Sequence, residues 1–156
     1  MMGKILIFFF SLLINYVHLD SEQLAFNFFL NQLLSRYYPE VEKINFSGKT
    51  IGEKRLNGPF LKCEFGEDFN YFYKEFNAKQ SNEIEISYEG FSIINESKKI
   101  SKKHLNLLVY RFVEFKDHDY VYIKVYKVDH FVDHYLIKIS KKNKEVQGYC
   151  RFSEII

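Results

Sequence analysis

Tryptophan is absent from this chain, and alanine, proline and cysteine occur twice each. No charge sign dominates: 22 basic residues face 20 acidic ones, for a formal net charge of +2. Without a concentrated basic surface, bulk electrostatic binding to nucleic acid is not expected. No Gly-x-Ser-x-Gly offers a nucleophile elbow. Gly48-Lys49-Thr50 echoes the end of a phosphate loop, but Lys43 stands where that loop needs its first glycine. Internal repeats and low-complexity tracts are also missing. The absence of Trp and scarcity of Ala, beside many Lys, Asn and Ile, match the drift of an AT-rich genome. The 17 Phe and 12 Tyr are therefore discounted as a functional signal in themselves.

The apolar content is most concentrated at the start. A short segment ending in Lys4 precedes a nearly pure apolar run, Ile5 to Val17, and a polar exit at His18-Leu19-Asp20-Ser21. This is the layout of a secretory signal peptide. The expected division is a leader over residues 1–21 and one α+β domain over 22–156, exported to a periplasmic or extracellular location. The run is shorter than the roughly twenty apolar residues that span a bilayer. The alternative is an uncleaved anchor, which would be the chain's only membrane contact. No cysteine follows the run, so lipoprotein-type attachment there is excluded.

Cys63 and Cys150 each sit in an alternating stretch beside apolar neighbours, which places both on the core side of a strand. In an oxidising compartment they are expected to pair. The bond would close a loop of about ninety residues and stabilise on the order of 4–5 kcal/mol in the chain-entropy model. The alternative is two unpaired core thiols. The sequons at Asn45-Phe46-Ser47 and Asn95-Glu96-Ser97 carry little weight in so Asn- and Ser-rich a chain.

Asp20 and Gln23 have the spacing of a capping box, and apolar residues from Leu24 to Tyr38 recur at helical spacing up to Pro39. The sequence predicts an amphipathic helix over 21–38. Short strands are expected at 43–51, 59–65 and 83–94, with a second helix over 68–79. Four longer strands follow, at 105–115, 120–128, 131–140 and 145–152, joined by short polar corners. The fold class is α+β: the helix packs on a curved antiparallel sheet that ends in a four-stranded meander. The alternative is a small β-barrel with a flanking helix.

Two constellations could carry function. His130 and His134, with Asp129 and Asp133 near one corner, are metal-type ligands, but alternation turns the carboxylates away from the imidazoles. Asp117, His118 and Asp119 lie at the opposite end of a strand, some 25–30 Å away, and cannot join them. No metal or cofactor is expected. The second constellation is a sheet face. Val121, Ile123 and Val125 point inward, which leaves Tyr120, Tyr122, Lys124 and Tyr126 outward. The last strand adds Tyr149 and Arg151 to that face. Tyr and Arg are the side chains that most often anchor protein interfaces. The leading expectation is therefore an exported non-catalytic binding module: an inhibitor, an immunity-type protein or an accessory subunit. Its partner would be a protein or a glycan and not a nucleic acid. The alternatives are a carrier with a pocket lined by Phe26, Phe29, Phe72 and Phe76, or a His/Asp metalloenzyme.

Overall fold

The computed structural model describes residues 20–52, Cys63, the backbone of 92–94, and residues 103–127 and 131–155. Residues 1–19 of the expected leader, the second expected helix, the strand expected at 59–65 apart from Cys63, the strand expected at 83–88, and Asp129 and His130 lie outside the described residues.

One 17-residue helix opens the fold. It runs as an α segment (Ser21–Phe28), a π segment (Phe29–Leu34) and a last α turn (Ser35–Tyr37). The π segment follows from a regularity in the sequence. Ala25-Phe26, Phe29-Leu30, Leu33-Leu34 and Tyr37-Tyr38 are apolar doublets spaced four residues apart. A helix of 3.6 residues per turn rotates such a stripe by about 40° at each repeat. The wider turn of i→i+5 hydrogen bonding rotates it back. As a result Ala25, Phe26, Phe29, Leu30, Leu33, Leu34 and Tyr38 are all buried on one side. Tyr38, the residue before Pro39, leaves the helical region with φ −138° and ψ 59°, which ends the helix where expected.

The N-terminal capping box does not form. The Asp20 side chain makes no cap hydrogen bond, and Gln23 Nε2 donates to Asn27 Oδ1 at 2.9 Å instead of reaching back. The helix start is fixed by the sheet. Ser21 Oγ donates to Asp119 Oδ2, and Lys144 Nζ lies 3.1 Å from the same oxygen. Glu22 accepts from Phe112 N at 3.3 Å, with Arg111 Nε at 3.8 Å.

The described residues form seven strands: β1 (Lys43–Asn45), β2 (Ser92–Ile94), β3 (His104–Val109), β4 (Val113–Phe115), β5 (His118–Tyr126), β6 (Phe131–Ser140) and β7 (Val146–Ile155). The sheet is open, in the order β2-β1-β3-β5-β6-β7, with β4 beside the first part of β5. β1 runs parallel to both neighbours, and the remaining pairs are antiparallel. The strand expected at 105–115 is broken into β3 and β4. Val109 pairs with Ile123 and Val113 with Tyr120, so β3–β4 carries one residue more than β5 between those pairs. A second irregularity separates Lys138↔Gly148 from Ile139↔Val146 and makes Gln147 the extra residue on β7. Each insertion reverses which side of the sheet the following residues face.

The helix lies on the side carrying Leu105, Leu107, Val109, Val121, Ile123, Val125, Tyr135, Ile137 and Ile139. Phe26 stacks on Phe46 with ring centroids 4.7 Å apart, and Phe29 meets the Tyr135 ring edge-on at 5.2 Å. Phe26 and Phe29, expected as pocket lining in the carrier alternative, are fully buried in this core; Phe72 and Phe76 lie outside the described residues.

Glu22 supplies a test of the helix start. Burial raises its pKa above the ordinary 4.5, against weaker lowering by hydrogen bonds and Arg111. A raised folded-state pKa favours the protonated form, so the folded state loses stability relative to the unfolded chain as pH rises through that pKa. Glu22→Gln removes this loss. The melting temperature of the variant relative to the parent should rise between pH 4 and pH 8. A constant or falling difference would contradict the burial of this carboxyl.

Candidate functional site

The structure divides the expected binding face between the two sides of the sheet. On β5, Val121, Ile123 and Val125 do face the helix, and Tyr120, Tyr122, Lys124 and Tyr126 face the other way. That second side is not a solvated surface where the tyrosines stand. Tyr120 is 0% exposed and Tyr122 2%. They belong to a second apolar cluster with Tyr110, Val113, Phe115, Leu136 and Cys63, against which Cys150 and Phe152 pack. Lys124 and Tyr126 remain half-buried, the Lys124 ammonium 5.0 Å from the Tyr126 ring. Tyr149 and Arg151 lie on the helix side instead. The extra residue at Gln147 keeps Val146 on the same side as Tyr149, so Cys150 and Phe152 turn to the other side.

The Cys63–Cys150 disulfide is formed, with Cα atoms 5.7 Å apart, and it pins residue 63 to this second side. A structural disulfide of this kind points to an oxidising compartment.

His134 is not a corner residue. It lies within β6, is 1% exposed, and faces the second side opposite Asp133. Its ring lies nearly parallel to Phe152 in a stack, centroids 4.5 Å apart, and to Tyr122 at 5.8 Å, while Tyr122 stacks on Tyr110 at 4.7 Å. The four rings form a ladder across neighbouring strands. Tyr122 OH hydrogen-bonds to His134 Nδ1, and Glu154 Oε1 lies 2.9 Å from Nε2. Both imidazole nitrogens thus face protein groups, which suits a structural ring better than a metal ligand. Among the described residues, no group of three or more His, Cys, Asp or Glu side chains is placed to hold a metal ion. Asn45, in the first sequon, donates its amide to Asn106 Oδ1 at 2.8 Å.

The helix side carries a different assembly at the C-terminal end of the helix. Asp133 is fully buried, yet Lys127 Nζ lies at 2.8 Å and Arg151 Nη2 at 3.1 Å from Oδ2, and Tyr38 and Ser153 donate hydroxyls. Burial alone would raise the Asp133 pKa. The hydrogen bonds from Lys127, Ser153, Tyr38 and Arg151 outweigh it and hold the carboxyl below its ordinary value. Burial pushes the Tyr38 and Tyr135 phenols up, so both stay protonated. Their hydroxyls are 2.8 Å apart.

Arg151 is held by this carboxylate and lies over the Tyr37 ring, 4.4 Å from its centroid. Arg36 approaches the same ring at 5.5 Å. The Tyr37 and Tyr149 hydroxyls are 2.8 Å apart, a contact that raises the Tyr149 pKa. Tyr37 and Tyr149 are half-buried, while Arg36 and Arg151 are exposed. Sequence reasoning found Tyr149 and Arg151 but missed Tyr37 and Arg36, because the doublet Tyr37-Tyr38 read as helix core. Only Tyr38 is.

Comparison with protein-family models, with curated proteins and with solved structures finds no match for this chain.

The two-sided burial predicts opposite responses for two tyrosines from the same expected face. Tyr122→Ala should destabilise by about 3–5 kcal/mol, the range for emptying a buried aromatic site. Tyr149→Ala should cost about 1 kcal/mol, since it loses one hydrogen bond and partial packing. Denaturant unfolding of both variants decides the point. Equal, small losses would mean that Tyr122 is at the surface.

Proposed function

We propose that this chain is an exported, non-catalytic binding module that holds a protein partner through the Tyr37, Tyr149 and Arg151 platform. The observation that carries the reading is the setting of Tyr37. Its ring is flanked by the guanidinium groups of Arg36 and Arg151 and hydrogen-bonded to Tyr149, at the junction of the helix end and β7. Tyr and Arg held in fixed orientations lose little conformational entropy on binding, which is why such side chains dominate interface energetics. The buried acids described above are engaged in joining the helix to the sheet, a structural use of ionisable groups. Lys124 and Tyr126, on the second side, are a smaller remnant of the expected surface.

Export supports the same reading. The disulfide fits an oxidising compartment, and residues 1–21 are proposed as the leader that takes the chain to the periplasm or the exterior. A cut after Ser21 would remove the hydroxyl that bonds Asp119.

The test is affinity capture from native extract by the disulfide-bonded protein, in parallel with Tyr149→Ala. The partner recovered by the parent should be lost from the variant, while the variant keeps its cooperative unfolding. Equal recovery by both proteins would remove the platform from the binding surface.

A further inference from the structure

The helix stops short of the end of the sheet. Its last packed residue, Tyr38, reaches Asp133, and β6 continues two residues beyond Asp133 toward its start, to Phe131. Phe131 stands opposite Ile155 in the β6–β7 register. Among the described residues these are the large hydrophobic side chains left exposed, Phe131 at 40% and Ile155 at 71%. Strand alternation places both on the helix side, in line with Asp133 and with Arg151. They therefore form one exposed apolar pair on the helix side of the sheet.

Cations border this pair. Lys127 Nζ is 5.7 Å from the Phe131 ring. Arg151 lies four residues before Ile155 on the same side of β7, with Arg36 beyond it across Tyr37. Within this set, three cations accompany a single carboxylate, that of Asp133, which is buried beneath them. The surface they present carries the two guanidinium groups at one end and the apolar pair, with Lys127 beside it, at the other. From Tyr149 to Ile155 the row measures about 20 Å, the length of six or seven residues of extended chain.

From this arrangement we infer that the surface running from Tyr37 and Arg151 to Phe131 and Ile155 receives an extended, acidic segment of the protein partner with an apolar side chain at one end. The inference rests on the binding-module reading and names the chemistry of its partner. Carboxylates on the segment neutralise the surplus positive charge of Arg36, Arg151 and Lys127, and one apolar side chain covers Phe131 and Ile155. A row of this kind reads a linear peptide, because its two ends differ in chemistry and its tyrosine and arginine groups give directional hydrogen bonds.

The test is selection from a displayed library of random peptides against the full disulfide-bonded protein. Enriched sequences should carry Asp or Glu together with a terminal Leu, Ile or Phe, and their affinity should fall with added salt. Ile155→Ser, at a site 71% exposed, should leave the fold intact and weaken these peptides by about tenfold. Arg36→Gln should reduce both the affinity and its dependence on salt. Enrichment of basic or neutral sequences, failure to enrich any, or unchanged affinity in Ile155→Ser would overturn the inference. So would self-association of the protein, or binding to anionic vesicles, if either depended on Ile155. Acidic peptides lost with Ile155→Ser but retained by Tyr149→Ala would uphold this contact and count against the platform. The reverse pattern would uphold the platform and overturn the apolar contact.

Discussion

A single buried carboxylate, Asp133, ties the helix to the sheet at the end where the proposed binding surface lies. Its oxygens receive Tyr38 from the end of the helix, Lys127 from the end of β5, and Arg151 and Ser153 from β7. Three segments, the end of the helix, the end of β5 and β7, thus share one acceptor on β6. An isolated buried carboxylate would neutralise, because desolvation disfavours its charge. Here two cations and two hydroxyls replace the lost water. Removing the charge would leave Arg151 without the partner that sets its position over Tyr37. The platform depends on Asp133 in that physical sense.

At the other end of the helix Asp119 plays a similar part, joining Ser21 to Lys144. The helix is held at both ends by acids of the sheet, and between them by apolar packing. The sheet itself is buried on two sides. One side meets the helix; the other holds Tyr110, Tyr120, Tyr122, His134 and Phe152 with the disulfide. Central strands β5 and β6 are buried along nearly their whole length. This is why half-buried Tyr and exposed Arg side chains are left at the margins, beside β7 and the helix end, where the proposed binding surface lies.

Much of this was legible in the sequence. The α+β class, the position of the helix, its stop at Pro39 and the order of the last strands follow from periodicity and turn chemistry, and the cysteine pairing from two cysteines in a chain expected to be exported. The side of each strand residue was legible only up to the first inserted residue. Alternation from Val146 places Cys150 with the helix-side core; the extra Gln147 reverses it. No pattern in the residue types marks that insertion. The burial of Tyr122 was hidden for a different reason. Tyr, His and Asp look like surface residues when read singly, and a ladder of rings on a second core becomes visible only when the strands are side by side. The π segment, by contrast, had a signal in the four-residue spacing of the apolar doublets. The capping box of Asp20 and Gln23 does not form because Gln23 donates to Asn27, and the helix start is held instead by the bond from Ser21 to Asp119, nearly a hundred residues away.

The account stands on Asp133 being charged while buried, and that property can be measured at the atom itself. Carbon-13 titration of the Asp133 side-chain carboxyl in the disulfide-bonded protein reports its folded-state pKa. A depressed value means that the group stabilises the fold above the ordinary carboxyl range and that this stability is lost as pH falls through the folded pKa. The account predicts a midpoint below the ordinary 3.8, with the Tyr37 and Arg151 resonances shifting in the same step. A midpoint at or above 3.8, or titration that leaves Arg151 undisturbed, would contradict it.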